Sequence, residues 1–197
     1  MNKTRMFLYT LGALILIAAL LLYTNRDSIT YVGSVNEVEV DCTKKDSILT
    51  LVYESDQRNR RTGDFKQLAH DDHRNQEVVF SMIEKCGMPS LQDVGPLQMN
   101  AIWLTIQHAN KKYRKKYFPL IEKAVDNGDL AKSQYALMKD RMLMDEGKPQ
   151  LYGSQVLNYE LYKLVDPETV DERRQEMGLE PIEDYLAKFG IDYQRTE

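Results

Sequence analysis

The chain has 197 residues, of which 43% are hydrophobic and 28% are charged. This length suits one ordinary domain plus a targeting segment and argues against two domains. The formal net charge of −4 argues against binding nucleic acid through bulk charge, so no nucleic-acid partner is expected, and no cofactor is indicated.

The first predicted element is an uncharged apolar run from Phe7 to Tyr23, with Lys3 and Arg5 before it. As a helix it would be about 25 Å long, which is enough to cross a thin hydrocarbon core. No small residues suited to cleavage follow it. An uncleaved signal anchor over residues 1–24 is therefore favoured over a cleaved signal peptide. The basic residues before it predict a cytoplasmic N-terminus, with the remainder of the chain outside the cytoplasm.

Residues 25–45 are predicted to form a linker with one short strand in VNEVEV. The linker contains Cys42, and the other cysteine is Cys86. An oxidising compartment would allow a disulfide between them. The alternative is that Cys86 is a small buried hydrophobic residue in a helical stripe. Two cysteines alone do not decide between these interpretations.

From Asp46 onward the pattern predicts a mainly α domain over residues 46–190, with at most a short strand or hairpin. Most predicted helices start at aspartate or proline and stop before glycine. They cover residues 46–62, 71–86, 96–110, 117–126, 129–146, 166–177 and 181–189. The third is apolar on two sides and is predicted to be central and buried. Residues 156–165, VLNYELYKLV, are predicted as a strand or an irregular connection.

Four of the apolar helix stripes are interrupted by polar side chains, since residues three and four apart share a helix face. The interrupting residues are Asp56 and Arg60 in the first helix, Asp72 and Asn75 in the second, His108 in the third, and Asp140 with Arg141 in the fifth. Because an unpaired buried charge is costly, we expect these helices to converge so that the polar groups satisfy one another. Gln150, Tyr152 and Gln155 follow the fifth helix and are expected to line the same pocket.

These positions also carry the motifs through which the chain resembles a bacterial domain family of unknown function. The family pattern is DQxxR, DxxN, GxP, QHAD, DR, QxYGTQ and RRxxxGL. Here it reads DQRNR, DHRN, GMP, QHAN, DR, QLYGSQ and RRQEMGL, with Tyr185 beyond. The resemblance covers residues 46–186. Asn110 stands where the family has aspartate, Ser154 replaces threonine, and Met88 stands where many members carry tryptophan.

The resemblance implies a shared site but no established activity. The implied residues are Asp56, Gln57, Arg60, Asp72, Asn75, His108, Asp140, Arg141, Gln150, Tyr152 and Gln155. With the predicted anchor, it implies a single-pass protein of a bacterial inner membrane whose globular part is periplasmic.

Two function hypotheses and a structural alternative follow. The first is a hydrolase or group-transfer enzyme acting on an anionic substrate, with His108 as general acid or base. Asp56, Asp72 and Asp140 would be its catalytic carboxylates. The predicted substrate-binding residues are Arg141, Arg60, Asn75, Gln107, Gln150, Tyr152 and Gln155. The second is a non-catalytic module that binds a peptide, glycan fragment or small anion. The alternative is a purely structural buried network.

Other charged motifs have simpler interpretations. His70 and His73 in HDDH are interpreted as a solvated helix start, so no metal site is expected. The basic run KKYRKKYF, residues 111–118, is interpreted as a solvated helix end. Arg173 and Arg174 are interpreted mainly as surface pairs with Asp171 and Glu172, with the alternative that one of them reaches the polar cluster.

Overall fold

A computed structural model describes residues 34–62 and 65–193. The chain divides between Asn36 and Glu37, and the architecture below concerns the part from Glu37 onward, here called the helical unit. The apolar run Phe7–Tyr23, predicted as a membrane anchor, lies outside the described residues. Within the described ranges, no helix combines the length and apolar character that a membrane span requires.

Helices dominate the helical unit, which confirms the mainly α prediction. The long helices are α1 Lys45–Thr62, α2 Phe65–Cys86, α3 Pro96–His108, α4 Lys111–Asp126 and α5 Lys132–Asp145. The C-terminal elements are β1 Val156–Leu157, β2 Glu160–Leu161, α6 Val170–Glu176 and α7 Ile182–Ala187. The strands form an antiparallel hairpin in which Leu157 pairs with Glu160. Short 3₁₀ turns, Cys42–Lys44 and Pro167–Thr169, precede α1 and α6.

Helix α3 is the central helix, as its two-sided apolar pattern predicts. Pro96 occupies its first turn, where the missing N–H costs nothing. It packs against α1, α2 and α4, and Ile102 and Ile106 are fully buried. Trp103 Nε1 donates a hydrogen bond to the carbonyl of Gln134 at 3.0 Å, which ties α3 to the start of α5.

The C-terminal part has a small core of its own, formed by Val170, Ile182 and Leu186. The loop after α5 packs onto it at Gly153, whose φ is +69°. A Cβ at this position would lie 2.5 Å from Cδ1 of Ile182. Glycine is therefore required here by both the backbone conformation and the space.

The larger differences from the sequence prediction concern the starts of α2 and α4 and the predicted strand in the linker. Helix α2 begins at Phe65 rather than near Asp71 or Asp72, so these aspartates lie inside it and do not cap it. Helix α4 begins at Lys111 because the side chain of Asn110 accepts hydrogen bonds from the backbone N–H groups of Lys112 and Tyr113. The VNEVEV segment forms no strand.

Cys42 and Cys86 form a disulfide, with their Cα atoms 5.7 Å apart. The bond joins the 3₁₀ turn before α1 to the last residue of α2 across a sequence separation of 44 residues. Closing such a loop in the unfolded chain corresponds to about 4 kcal/mol in the chain-entropy description. The sequence left two alternatives, a disulfide or a free, buried Cys86, and the structure contains the disulfide.

Candidate functional site

Three helices bring polar side chains together in what we call the His108 cluster, which consists of Asp56, Arg60, Asp72 and His108. Asp56 and Arg60 are one turn apart on α1, Asp72 lies in the first half of α2, and His108 is the last residue of α3. Asp56 is only 4% exposed, whereas the His108 side chain keeps 23% of its surface accessible. The cluster therefore has a buried floor and an accessible imidazole.

Arg60 is the cation that holds the two acids together. Its Nε donates to both carboxylate oxygens of Asp56, at 3.2 and 3.1 Å. Its Nη2 donates to Asp56 Oδ1 at 2.9 Å and to Asp72 Oδ1 at 3.2 Å, and it also contacts His108 Nδ1. Arg60 and the acids of the first two helices therefore satisfy one another, as expected of polar groups that interrupt apolar stripes.

His108 and Asp56 form a second link across the cluster. Nδ1 of His108 lies 3.1 Å from Oδ1 of Asp56. Gln57 Nε2 donates to the other oxygen of Asp56 at 2.9 Å. Asp56 is therefore the acid of the cluster that contacts the imidazole directly.

The two carboxylates have opposite pKa shifts. Burial by itself would raise the pKa of Asp56, but the hydrogen bonds and positive charges of His108 and Arg60 outweigh it and hold that pKa well below its usual range. For Asp72, burial together with the nearby negative charge of Asp56 outweighs the attraction of Arg60 and His108 and raises the pKa. Asp56 therefore keeps its charge to lower pH than Asp72 does, and Asp72 takes up a proton more readily.

This arrangement is suited to proton transfer. In the tautomer that carries its hydrogen on Nδ1, the imidazole donates to the ionised, buried carboxylate of Asp56, which fixes the orientation of the ring. Among the described residues, no hydrogen bond engages Nε2 of His108. The ring can then accept a proton through Nε2, and the carboxylate stabilises the imidazolium that results.

The His108 cluster also contains the candidate metal ligands of the described part of the chain. Asp56, Asp72 and His108 present ligand atoms within 4.8 Å of one another. The guanidinium of Arg60, however, bonds to both acids and contacts the imidazole. A divalent ion would have to displace this positive charge, so the arrangement favours an arginine-centred cluster. His70 and His73 lie inside α2 next to Asp71 and Glu77.

Asn75 lies on α2 with Asp72, but its side chain bonds to residues of α1 outside the His108 cluster. Its Nδ2 donates to Ser55 Oγ at 3.0 Å and to the carbonyl of Val52 at 3.4 Å, and its side chain is buried. These bonds join α1 to α2 below the His108 cluster and give Asn75 a scaffolding role.

Asp140 is the centre of a second polar group, here called the loop centre. Its side chain is 0% exposed. Its carboxylate accepts backbone N–H groups of Leu151 at 2.7 Å, of Tyr152 at 3.1 Å and of Ser154 at 3.0 Å. A carboxylate held by three N–H donors in this way shapes the loop after α5.

The glutamines predicted to line the pocket complete this loop. Gln150 is 0% exposed; it donates to the carbonyls of Gln155 and Tyr162, at 3.0 and 2.8 Å, and accepts from the N–H of Gln155 at 2.8 Å. Gln155 Nε2 donates to Ser154 Oγ at 2.9 Å. Tyr152 is buried. Within the described residues, no hydrogen bond joins this group to the His108 cluster.

Arg141 belongs to neither group. It is half-buried, and burial, with added repulsion from Arg114, lowers its pKa. Its Nε has no hydrogen-bond partner among the described residues, and neither has the buried Oε1 of Gln107. The predicted convergence is therefore seen for Asp56, Arg60, Asp72 and His108, whereas no hydrogen bond among the described residues joins Asp140 or Arg141 to them.

Two arginines that the sequence interpretation left on the surface, Arg114 and Arg174, are buried. Arg114 lies in the basic run but donates to Asp145 at 3.0 Å and to the carbonyl of Gln107 at 3.4 Å. Its position one turn before the stripe of Tyr117, Phe118 and Ile121 is the signal that identifies it. The interpretation of this run as a solvated helix end is wrong at Arg114.

Arg173 and Arg174 are not surface pairs either. Arg173 donates to the carbonyl of Leu151 at 2.7 Å. Arg174 is 1% exposed and donates to the carbonyl of Tyr152 at 2.6 Å. Tyr185 donates from its hydroxyl to the carbonyl of Ser154 at 2.8 Å. Arg173, Arg174 and Tyr185 therefore bind carbonyl groups of the loop after α5, and Asp140 binds N–H groups of the same loop.

The chain matches the family of unknown function DUF6624 over residues 37–194 and belongs to that family, as its motifs predict. No curated protein and no solved structure matches it.

Proposed function

We propose that this DUF6624 member is a hydrolytic or group-transfer enzyme in which His108 exchanges a proton with the substrate. The observation that carries the proposal is the 3.1 Å contact between Nδ1 of the partly exposed His108 and the buried Asp56. A histidine oriented by an ionised carboxylate is a common solution for proton transfer near neutral pH.

In the proposed reaction, Nε2 of His108 removes a proton from water or from a substrate hydroxyl. The oxygen so activated forms a bond to an electrophilic carbon or phosphorus, and the bond to the leaving group breaks. The imidazolium returns the proton to the leaving group, while Asp56 balances its charge. Asp72 is the second candidate proton donor because burial raises its pKa.

An anionic substrate is favoured because Arg141 is a half-buried cation without an acid partner among the described residues. Asn75, Gln150, Tyr152 and Gln155 stay predicted substrate contacts. Their burial supports a scaffolding role in preference to direct contact, and for Asn75, Gln150 and Gln155 hydrogen bonds within the protein add to that support.

The experiment is turnover of phosphomonoester, carboxyl ester and peptide substrates by the full-length chain in detergent micelles. We expect His108→Ala to reduce turnover by about 10²-fold or more. His70→Ala is the matched control because His70 lies on an exposed part of α2, and it should retain activity. Equal turnover by wild type and His108→Ala would remove His108 from the mechanism.

A non-catalytic binding module is the second candidate, and the unpaired Arg141 is the observation that favours it. On this hypothesis a ligand would raise the melting temperature without being consumed. Loss of this stabilisation in Arg141→Met, with no turnover in wild type, would favour binding over catalysis. A purely structural network predicts neither turnover nor stabilisation.

We also propose that residues 1–24 anchor the protein in a bacterial inner membrane, with the helical unit on the periplasmic side. The disulfide supports this location because such bonds persist in oxidising compartments. In intact cells, we expect Cys42 and Cys86 to resist alkylation until a reductant is added, and protease added to spheroplasts to degrade the helical unit. Free thiols and protease resistance would contradict the proposed orientation.

A further inference from the structure

Two buried side-chain atoms, one on α3 and one on α5, have no hydrogen-bond partner among the described residues. One is Oε1 of Gln107, a residue that is 7% exposed, and the other is Nε of Arg141. The first is an acceptor and the second is a donor. Leaving such groups unpaired is costly, so native structures rarely contain them without a reason.

The helix register puts these two residues at the same level. At the start of α5, Gln134 Nε2 donates to Asn100 Oδ1 at 3.0 Å and the Gln134 carbonyl accepts from Trp103. Gln107 follows Asn100 by two turns on α3, and Arg141 follows Gln134 by two turns on α5. Both therefore continue the faces through which the two helices meet.

Arg114 closes the far end of the same interface. It bonds to the carbonyl of Gln107 and to the carboxylate of Asp145, one turn beyond Arg141. The acid on this face is thereby neutralised by Arg114. Arg141 forms no salt bridge with an acid among the described residues, and its Nε, like Oε1 of Gln107, has no hydrogen-bond partner there.

We propose that Arg141 and Gln107 bind an oxyanion that carries or adjoins a hydrogen-bond donor. The anion would accept from Arg141, and the N–H or O–H beside it would donate to Oε1 of Gln107. A carboxylate next to an amide N–H and a singly protonated phosphate share this chemistry. The inference rests on the anionic substrate of the proposed function and specifies which groups recognise it.

The binding test is isothermal titration of the full-length chain in detergent micelles with N-acetylglycine, with inorganic phosphate, and with sodium chloride at equal ionic strength. We expect one of the two oxyanions to bind and chloride not to bind. Arg141→Met should abolish binding, and Gln107→Met should weaken it by about tenfold, which corresponds to one hydrogen bond. The oxyanion that binds identifies the source of the anionic group.

Binding should persist in His108→Ala, so a failure of catalysis and a failure of this inference are distinguishable. If the wild type binds an oxyanion but turns over no substrate, the oxyanion site is supported and the enzyme proposal is contradicted. If neither oxyanion binds, the proposed site is overturned. A buried water would then be the partner of Gln107 and Arg141.

A measurement without ligand gives an independent check. Because Arg141 is unpaired, Arg141→Met should leave the melting temperature unchanged or raise it. Arg173→Met is the matched control, since Arg173 donates to the carbonyl of Leu151 and to Thr169. We expect that control to melt about 5 °C lower or more. An equal fall in Arg141→Met would show that the protein's own groups hold Arg141, and this would overturn the proposal.

Discussion

The His108 cluster and the loop centre around Asp140 are both built on a buried aspartate, yet they differ in what surrounds it. Asp140 accepts three backbone N–H groups and is 0% exposed. Asp56 is bound by side chains, and one of them, His108, keeps 23% of its surface accessible. A carboxylate closed by backbone groups stabilises a loop, whereas one that orients an accessible imidazole is arranged for chemistry.

The comparison separates two kinds of motif within one family pattern. The DR, QLYGSQ and RRQEMGL motifs meet at the loop centre, where Asp140 binds N–H groups and Arg173 and Arg174 bind carbonyl groups of the same loop. The DQRNR, DHRN and QHAN motifs supply the His108 cluster. In this chain the first set of segments therefore serves folding, and the second, on our proposal, serves reaction.

The largest expected effect is at Asp140. Asp140→Asn would replace an acceptor of three N–H groups by an amide with one acceptor oxygen, so we expect a loss of about 3–5 kcal/mol in the free energy of unfolding. Urea unfolding followed by circular dichroism measures it. Asp184→Asn, at an exposed position of α7, is the control and should be neutral. A loss below about 1 kcal/mol would contradict a structural role for Asp140.

Gly153 tests the same loop through its backbone. Gly153→Ala would need a left-handed conformation and would bring its Cβ 2.5 Å from Cδ1 of Ile182. We expect a loss of about 2–3 kcal/mol by the same measurement. Gly147 also has a positive φ but has open space around a Cβ, so Gly147→Ala should cost less. Equal losses would show that the contact with Ile182 is unimportant.

In the His108 cluster, the two acids should respond to substitution with opposite signs. The folded pKa of Asp56 lies below its unfolded value, so its contribution to stability is present above about pH 4 and is lost as pH falls through the folded pKa. Asp56→Asn should therefore cost about 2–3 kcal/mol at pH 7, and the cost should shrink in acid.

Asp72 provides the contrasting case. Its folded pKa is raised, so its contribution to folding is present below the unfolded pKa and is lost as pH rises through the folded pKa. Asp72→Asn should leave the stability at pH 7 unchanged or increase it. Unfolding titrations of both variants between pH 3 and 7 check the pair of signs. A loss at Asp72 equal to that at Asp56 would contradict the assignment of Asp56 as the dominant partner of Arg60.

At His108 the expected effect on stability is small, whereas the expected effect on activity is large. Because His108 is partly exposed and lies at the end of α3, His108→Gln should change the free energy of unfolding by less than about 1 kcal/mol. Differential scanning calorimetry measures this change. A loss as large as that in Asp140→Asn would make His108 a structural residue and remove the contrast between the two centres.

Much of this architecture could be predicted from local signals. The central position of α3 followed from its two apolar faces, and the interruptions at Asp56, Asp72 and His108 located one cluster correctly. The start of α2 could not be predicted, because Asp71 and Asp72 resemble helix caps although their side chains have other partners.

The sequence also could not show that Asp140 binds the backbone of a loop and forms no hydrogen bond with His108. A polar residue in an apolar stripe shows that a partner is needed, but not whether that partner is a side chain or the backbone of a loop. The backbone N–H groups that satisfy Asp140 carry no sequence signal of their own. The burial of Arg114 and Arg174 was not predicted for a similar reason, since some of their partners are backbone carbonyl groups.

The most direct test of the account is the tautomer of His108, measured by ¹⁵N NMR of the ring nitrogens above the pH at which the ring loses its charge. We predict the Nδ1–H tautomer, donating to Asp56, with Nε2 unprotonated and able to accept a proton; in Asp56→Asn this preference should be lost. The Nε2–H tautomer in wild type, with Nδ1 accepting from Arg60, would contradict the account because His108 would then have no free basic nitrogen.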